Sequence, residues 1–81
     1  MIIKQILIGE QFVKYLEERG IIKQYKKAKE YILNGNYKQV NFKLREPKKD
    51  KIYYFRINKQ FRAYGTIEGG ILKIYHIDNH Q

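Results

Sequence analysis

Two arginines stand six residues apart in the stretch YFRINKQFRAYG, at Arg56 and Arg62, with Tyr54 before the first and Tyr64 after the second. A guanidinium presents a fork of N–H donors that matches phosphate oxygens in bidentate fashion. A tyrosine ring offers a surface on which an unpaired base stacks, at about 1–3 kcal/mol per base. Lys43 and Arg45 lie upstream in FKLREP, and Lys73 and Tyr75 lie downstream in ILKIYHIDN. Cations interleaved with rings suit the backbone and bases of a nucleic acid strand. The other reading is that Tyr54, Tyr64 and Tyr75 only stabilise a sheet as cross-strand pairs, and the residues alone leave both open.

His76 and His80 add imidazole, the side chain whose ordinary proton exchange falls near neutral pH. His80 is the candidate general acid or base; its alternative is a solvated chain terminus. His76 reads as structural. The chain has no cysteine and only Asp78 lies between the two histidines, so no metal site is expected. Gly69-Gly70 reads as a hairpin turn rather than a phosphate loop, because no helix follows it. No Ser-His-Asp arrangement or carboxylate pair stands out, and a tight β-meander leaves little room for a cofactor, so none is expected.

The whole chain shares the charge of this stretch. Seventeen basic residues against eight acidic ones give a net charge of +9 over 81 residues. Such an excess favours polyanions, nucleic acid first and acidic proteins second. Drift toward AT-rich codons is the other source of lysine, although it explains the spacing of Arg56 and Arg62 less well. Hydrophobic residues at 43% and aromatics at 15% argue for a folded chain. Its length suits one domain over residues 1–81 with one modest core. The absence of cysteine fits a reducing compartment. The opening apolar run is interrupted by Lys4 and Gln5, too short for a signal core or a membrane span, so a soluble cytoplasmic protein without a membrane partner is expected.

The elements that must position these residues follow from periodicity. Residues 1–8 are rich in isoleucine and read as a strand ended by Gly9. Phe12, Val13 and Leu16 recur at helical spacing over 10–19, with Gly20 as the C-terminal cap. Ile21, Ile22, Tyr25, Ala28 and Ile32 form a second stripe, ended by Asn34-Gly35-Asn36. Residues 37–45 alternate, with Val40, Phe42 and Leu44 inward and Asn41, Lys43 and Arg45 outward. Three more strands follow over 52–57, 61–67 and 71–78, bounded by turn formers. The expected fold is α+β, in the order β-α-α-β-β-β-β, with both helices on one face of a mainly antiparallel sheet. Small residues at Ala63 and Gly65 suggest that a helix packs closely there. The opposite face would carry Lys43, Arg45, Tyr54, Arg56, Arg62, Tyr64, Lys73 and Tyr75, because an unpaired buried guanidinium would cost several kcal/mol.

The element order, with FKLREP at 42–47 and YFRINKQFRAYG at 54–65, resembles the RelE/ParE superfamily of type II toxins. The resemblance implies a small basic endoribonuclease that cuts mRNA on the ribosome without a metal ion, neutralised by an antitoxin in a toxin–antitoxin hetero-oligomer. The alternatives are the ParE branch, which shares the fold but poisons DNA gyrase, and a catalytically silent nucleic-acid-binding member of the fold. In the ribonuclease branch a ribose 2′-OH attacks the adjacent phosphate. Arg62 matches the arginine placed against the scissile phosphate, and Arg56 matches the arginine of the preceding strand, where the YoeB branch also carries R-I-N. Lys43 and Arg45 fall near the family's basic positions, and His80 falls near the C-terminal histidine of YoeB- and HigB-like members. Tyr53 and Phe55 stand where RelE itself carries paired lysines. The YoeB glutamate base and the terminal tyrosine of many members have no counterpart.

Overall fold

The computed structural model describes residues 2–79. Its elements are β1 (Gln5–Ile8), α1 (Glu10–Glu18), α2 (Ile22–Leu33), β2 (Lys43–Leu44), β3 (Tyr53–Arg56), β4 (Phe61–Glu68) and β5 (Ile71–Asn79). The α+β class and the order β-α-α-β-β-β-β are as expected. The strands form a five-stranded sheet in the order β1-β5-β4-β3-β2. β1 runs parallel to β5, and the remaining neighbours are antiparallel.

Both helices end on a glycine that the sequence places there. Gly20, at φ 69°, donates its N–H to the Glu17 carbonyl at 3.0 Å, while Ile21 N–H reaches back to Leu16 at 3.0 Å. Gly35, at φ 79°, repeats the arrangement on Ile32 (3.0 Å), and Asn36 N–H reaches Tyr31 (2.8 Å). Each pair satisfies two carbonyls that the helix would otherwise leave orphaned, at a backbone angle that costs only glycine nothing. The helices then bury Leu16, Tyr25, Ala28 and Ile32 against Phe55, Ala63, Leu72, Ile74 and Ile77 of the sheet. Burial of each large aliphatic or aromatic side chain contributes about 1.5–3 kcal/mol. One face of the sheet is therefore covered, and the other is left to solvent.

Tyr25 is the polar exception in this core. It is 4% exposed, and its hydroxyl has no hydrogen-bond partner among the described residues. Burial pushes its pKa up from 10.0 to about 12. Because the folded value lies above the unfolded one, the associated stability is complete below pH 10 and is lost as pH rises toward 12. Tyr25→Phe is expected to remove this alkaline component and to raise stability near neutral pH by about 1 kcal/mol. Denaturant midpoints of both proteins across alkaline pH check this; a variant less stable than wild type at pH 7 would contradict it.

Two expectations about local structure are corrected. The strand expected over 37–45 is instead a 3-10 turn at Tyr37–Val40 followed by the two-residue β2. Asn41 takes the left-handed conformation at φ 51°, which asparagine tolerates, and Phe42 N–H turns back to the Tyr37 carbonyl at 3.1 Å. The Phe42 ring then packs on Tyr53 at 5.5 Å and Tyr37 at 5.3 Å between centroids. Clustering of three rings outweighs the alternating pattern, although Val40 is buried as expected. The first strand begins at Gln5 rather than at the start of the apolar run, and residue 1 lies outside the described residues.

Candidate nucleic-acid interface

Strand register builds the open face in rows. Lys43 lies opposite Tyr54, Tyr54 opposite Tyr64, and Tyr64 opposite His76, so one row crosses β2, β3, β4 and β5. Its ring centroids are 5.7 Å apart at both steps, Tyr54–Tyr64 and Tyr64–His76. Two residues along, as the pleat requires, Arg56 lies opposite Arg62, and Arg62 opposite Asp78. The row between them, Phe55, Ala63 and Ile77, points into the core.

Rings and guanidinium groups hold one another. The Arg62 guanidinium carbon sits 5.2 Å from the Tyr54 ring centre, and that of Arg45 sits 5.9 Å from Tyr64. Contacts of this kind are worth about 0.5–1 kcal/mol at exposed sites and restrict where the guanidinium can point. Arg56 and Arg62, directly across a strand pair, are like charges in a destabilising register. An anion between them turns that repulsion into attraction. The arrangement is suited to a phosphate flanked by stacked bases.

The turn that sets this register is held by one side chain. Asn58 Oδ1 accepts the backbone N–H groups of Gln60 and Phe61, both at 2.8 Å, and Asn58 Nδ2 donates to Gln24 Oε1 of α2 at 2.8 Å. Ile57 N–H closes the hairpin on the Phe61 carbonyl at 2.9 Å. Asn58→Ala is expected to cost about 1–2 kcal/mol by leaving two part-buried donors without an acceptor. Asn58→Asp keeps the acceptor, so its loss should be the smaller of the two in chemical denaturation; equal losses would contradict this role.

On β5 the structure departs from simple alternation. The β4–β5 register shifts between Tyr64 and Gly65, so Tyr64 faces His76 while Gly65 faces Ile74, and Tyr75 is the extra residue. Tyr75 and His76 are consecutive and both exposed, and Ile74 and Ile77 on either side are buried. A bulge of this kind changes which parity faces the core. It places His76, which reads as structural from the sequence, at the exposed end of the aromatic row, and it corrects one expectation. Gly65 is small for β5 rather than for a helix: a Cβ there would overlap the Lys73 carbonyl oxygen and crowd Leu72 at 3.1 Å.

The structure thus brings Lys43, Tyr54, Arg56, Arg62 and Tyr64 together, with Arg45 joined through the Tyr64 ring. Tyr75 is exposed beside His76. Lys73 is exposed opposite Thr66, one row beyond Tyr64, and its Nζ bonds Glu68 Oε1 at 2.8 Å. That bond and the ammonium charge hold the Glu68 carboxyl below its usual range. His80 lies outside the described residues. The sequence reading missed His76 and Asp78. The available signals were a glycine inside a strand pattern and the spacing of Leu72, Ile74 and Ile77, two residues and then three.

Among the described residues, no group of three or more His, Cys, Asp or Glu could hold a metal ion, and no helix is long and apolar enough to cross a membrane. No protein-family model matches the chain, and no curated protein matches it.

Proposed function

We propose that this protein is a toxin of the RelE/ParE kind: a metal-independent endoribonuclease of the cytoplasm that cleaves mRNA on the ribosome. The observation that carries the reading is the Arg56–Arg62 pair beside the Tyr54–Tyr64–His76 row on the open face. In the reaction a ribose 2′-OH forms a bond to the adjacent phosphorus, the P–O5′ bond breaks, and a 2′,3′-cyclic phosphate and a 5′-hydroxyl result. A proton leaves the 2′-oxygen and another reaches the departing 5′-oxygen. Arg62 stabilises the charge that builds on the phosphoryl oxygens, and Arg56 shares it. Tyr54, Tyr64 and Tyr75 stack bases, and Lys43, Arg45 and Lys73 bind backbone. His76 serves as the proton-transfer group on this face, with His80 the second candidate.

The net charge of +9 supports a polyanionic target and an acidic antitoxin segment that folds over the same face. Primer extension on mRNA from cells expressing the chain tests the reading. New 5′ ends within coding sequences are expected; unchanged transcripts in growth-arrested cells would overturn it. One observation favours a second reading, inhibition of DNA gyrase in the manner of ParE. Tyr53 packs on Phe42 and Phe55 is buried in the core, so two positions that carry catalytic lysines in RelE serve packing here. A supercoiling assay with stoichiometric protein separates the two, since only the second predicts inhibited gyrase.

A further inference from the structure

A cleft of about 230 Å³ opens beside the sheet edge, between α2, the turn at Tyr37–Val40 and the end of β3. Gln24, Lys27, Tyr31, Gln39 and Arg56 line it, above a floor that includes Ile57. The edge is accessible there because β2 pairs with β3 only at Tyr53 and Tyr54. Small-molecule pockets usually run to roughly 300–1,000 Å³, so this cleft suits one small group rather than a whole cofactor. Its lining offers two cations, two carboxamides and a phenol, and no carboxylate. Gln24 Oε1 is already occupied by Asn58 Nδ2, which leaves the Gln24 amide nitrogen as a donor.

Arg56 belongs to both places. By register it faces Arg62 on the open face, and it also lines the cleft. We infer that the cleft is a second phosphate-binding subsite, at which Lys27 and Arg56 take the phosphate of a nucleotide flanking those on the aromatic row. A single strand crossing the face from His76 toward Tyr54 passes Arg56 at the edge and turns into the cleft. Gln24 and Gln39 then meet the edge of that nucleotide. The inference rests on the proposed nucleic-acid reading and extends its footprint from the sheet onto α2.

The test measures binding of fluorescent single-stranded RNA at several salt concentrations, with one oligonucleotide of about 4 residues and one of about 12. The proteins are wild type, Lys27→Ala and Lys26→Ala; the last removes a charge from an exposed neighbour that does not line the cleft. Lys27→Ala is expected to weaken the longer RNA about tenfold. It should also reduce the slope of log K against log salt by about 0.7, while the shorter RNA binds as before. Lys26→Ala should change neither length. A Lys27→Ala protein with wild-type slope on the longer RNA would overturn the subsite, as would equal losses for both lengths or for both lysines. Wild-type protein that binds neither RNA would overturn the nucleic-acid reading itself, a failure visible without any variant. Intact RNA binding by Lys27→Ala together with weakened binding of polyglutamate would assign the cleft to an acidic protein and likewise overturn the subsite.

Discussion

Arg62→Ala is expected to slow RNA cleavage by about 10²–10³-fold, the usual loss when one preorganised donor to a developing oxyanion is removed. The expectation follows from placement. Arg62 is half-buried on β4, has Arg56 across one strand and Asp78 across the other, and rests 5.2 Å from the Tyr54 ring. Its guanidinium is therefore restrained before any ligand arrives. Arg62→Lys keeps the charge but loses the planar fork and the stacking geometry, so it should recover only part of the activity. Stability should change little. Removing one of two like charges in direct register relieves repulsion, but it also removes the charge opposite Asp78 and the contact with the Tyr54 ring, so Arg62→Ala should stay within about 0.5 kcal/mol of wild type. A variant that is inactive because it is unfolded would instead lose most of its stability, and the two measurements together separate catalysis from folding.

Gly65→Ala is expected to cost about 1–3 kcal/mol, the usual range for forcing a methyl group into occupied space. The obstacle is backbone: the Cβ would meet the Lys73 carbonyl oxygen, which cannot rotate away as a side chain would. Relief requires the bulge to open, and the bulge is what exposes both Tyr75 and His76. The substitution should therefore lower the denaturation midpoint and also weaken RNA binding, although residue 65 faces away from the aromatic row. Thr66→Ala, next in the strand and exposed, should leave stability within about 0.5 kcal/mol of wild type. Equal midpoints for Gly65→Ala and wild type would mean that the close approach to β5 is not a constraint.

The helices were legible because each carries its signals within a dozen residues. The stripe of Tyr25, Ala28 and Ile32 is buried as its spacing predicts, and Gly20 and Gly35 stop the helices where they stand. The β3–β4 hairpin was equally legible, since Tyr54, Arg56, Arg62 and Tyr64 alternate cleanly with Phe55, Ala63 and Gly65. What was not legible depends on contacts between segments. The alternation of Val40, Phe42 and Leu44 is that of a strand, yet Phe42 is drawn into a cluster with Tyr37 and Tyr53, which lie on either side of it in sequence. The face of β5 was ambiguous because apolar residues occupy both parities, and the bulge that resolves them is set by Gly65 on another strand. His76 was missed for that reason alone. The cleft at Lys27 and Arg56 was out of reach of periodicity, because it joins a helix, a turn and a strand end.

The proposed reaction is cleavage of RNA through its 2′-hydroxyl by Arg62 and the row beside it. The most direct measurement is end-group analysis of mRNA incubated with purified protein on programmed ribosomes, wild type beside Arg62→Ala. Discrete cuts that leave 2′,3′-cyclic phosphate and 5′-hydroxyl ends are expected with wild type, and cutting reduced about 10²–10³-fold with the variant. Intact mRNA with folded wild-type protein, or equal cutting by both proteins, would contradict it.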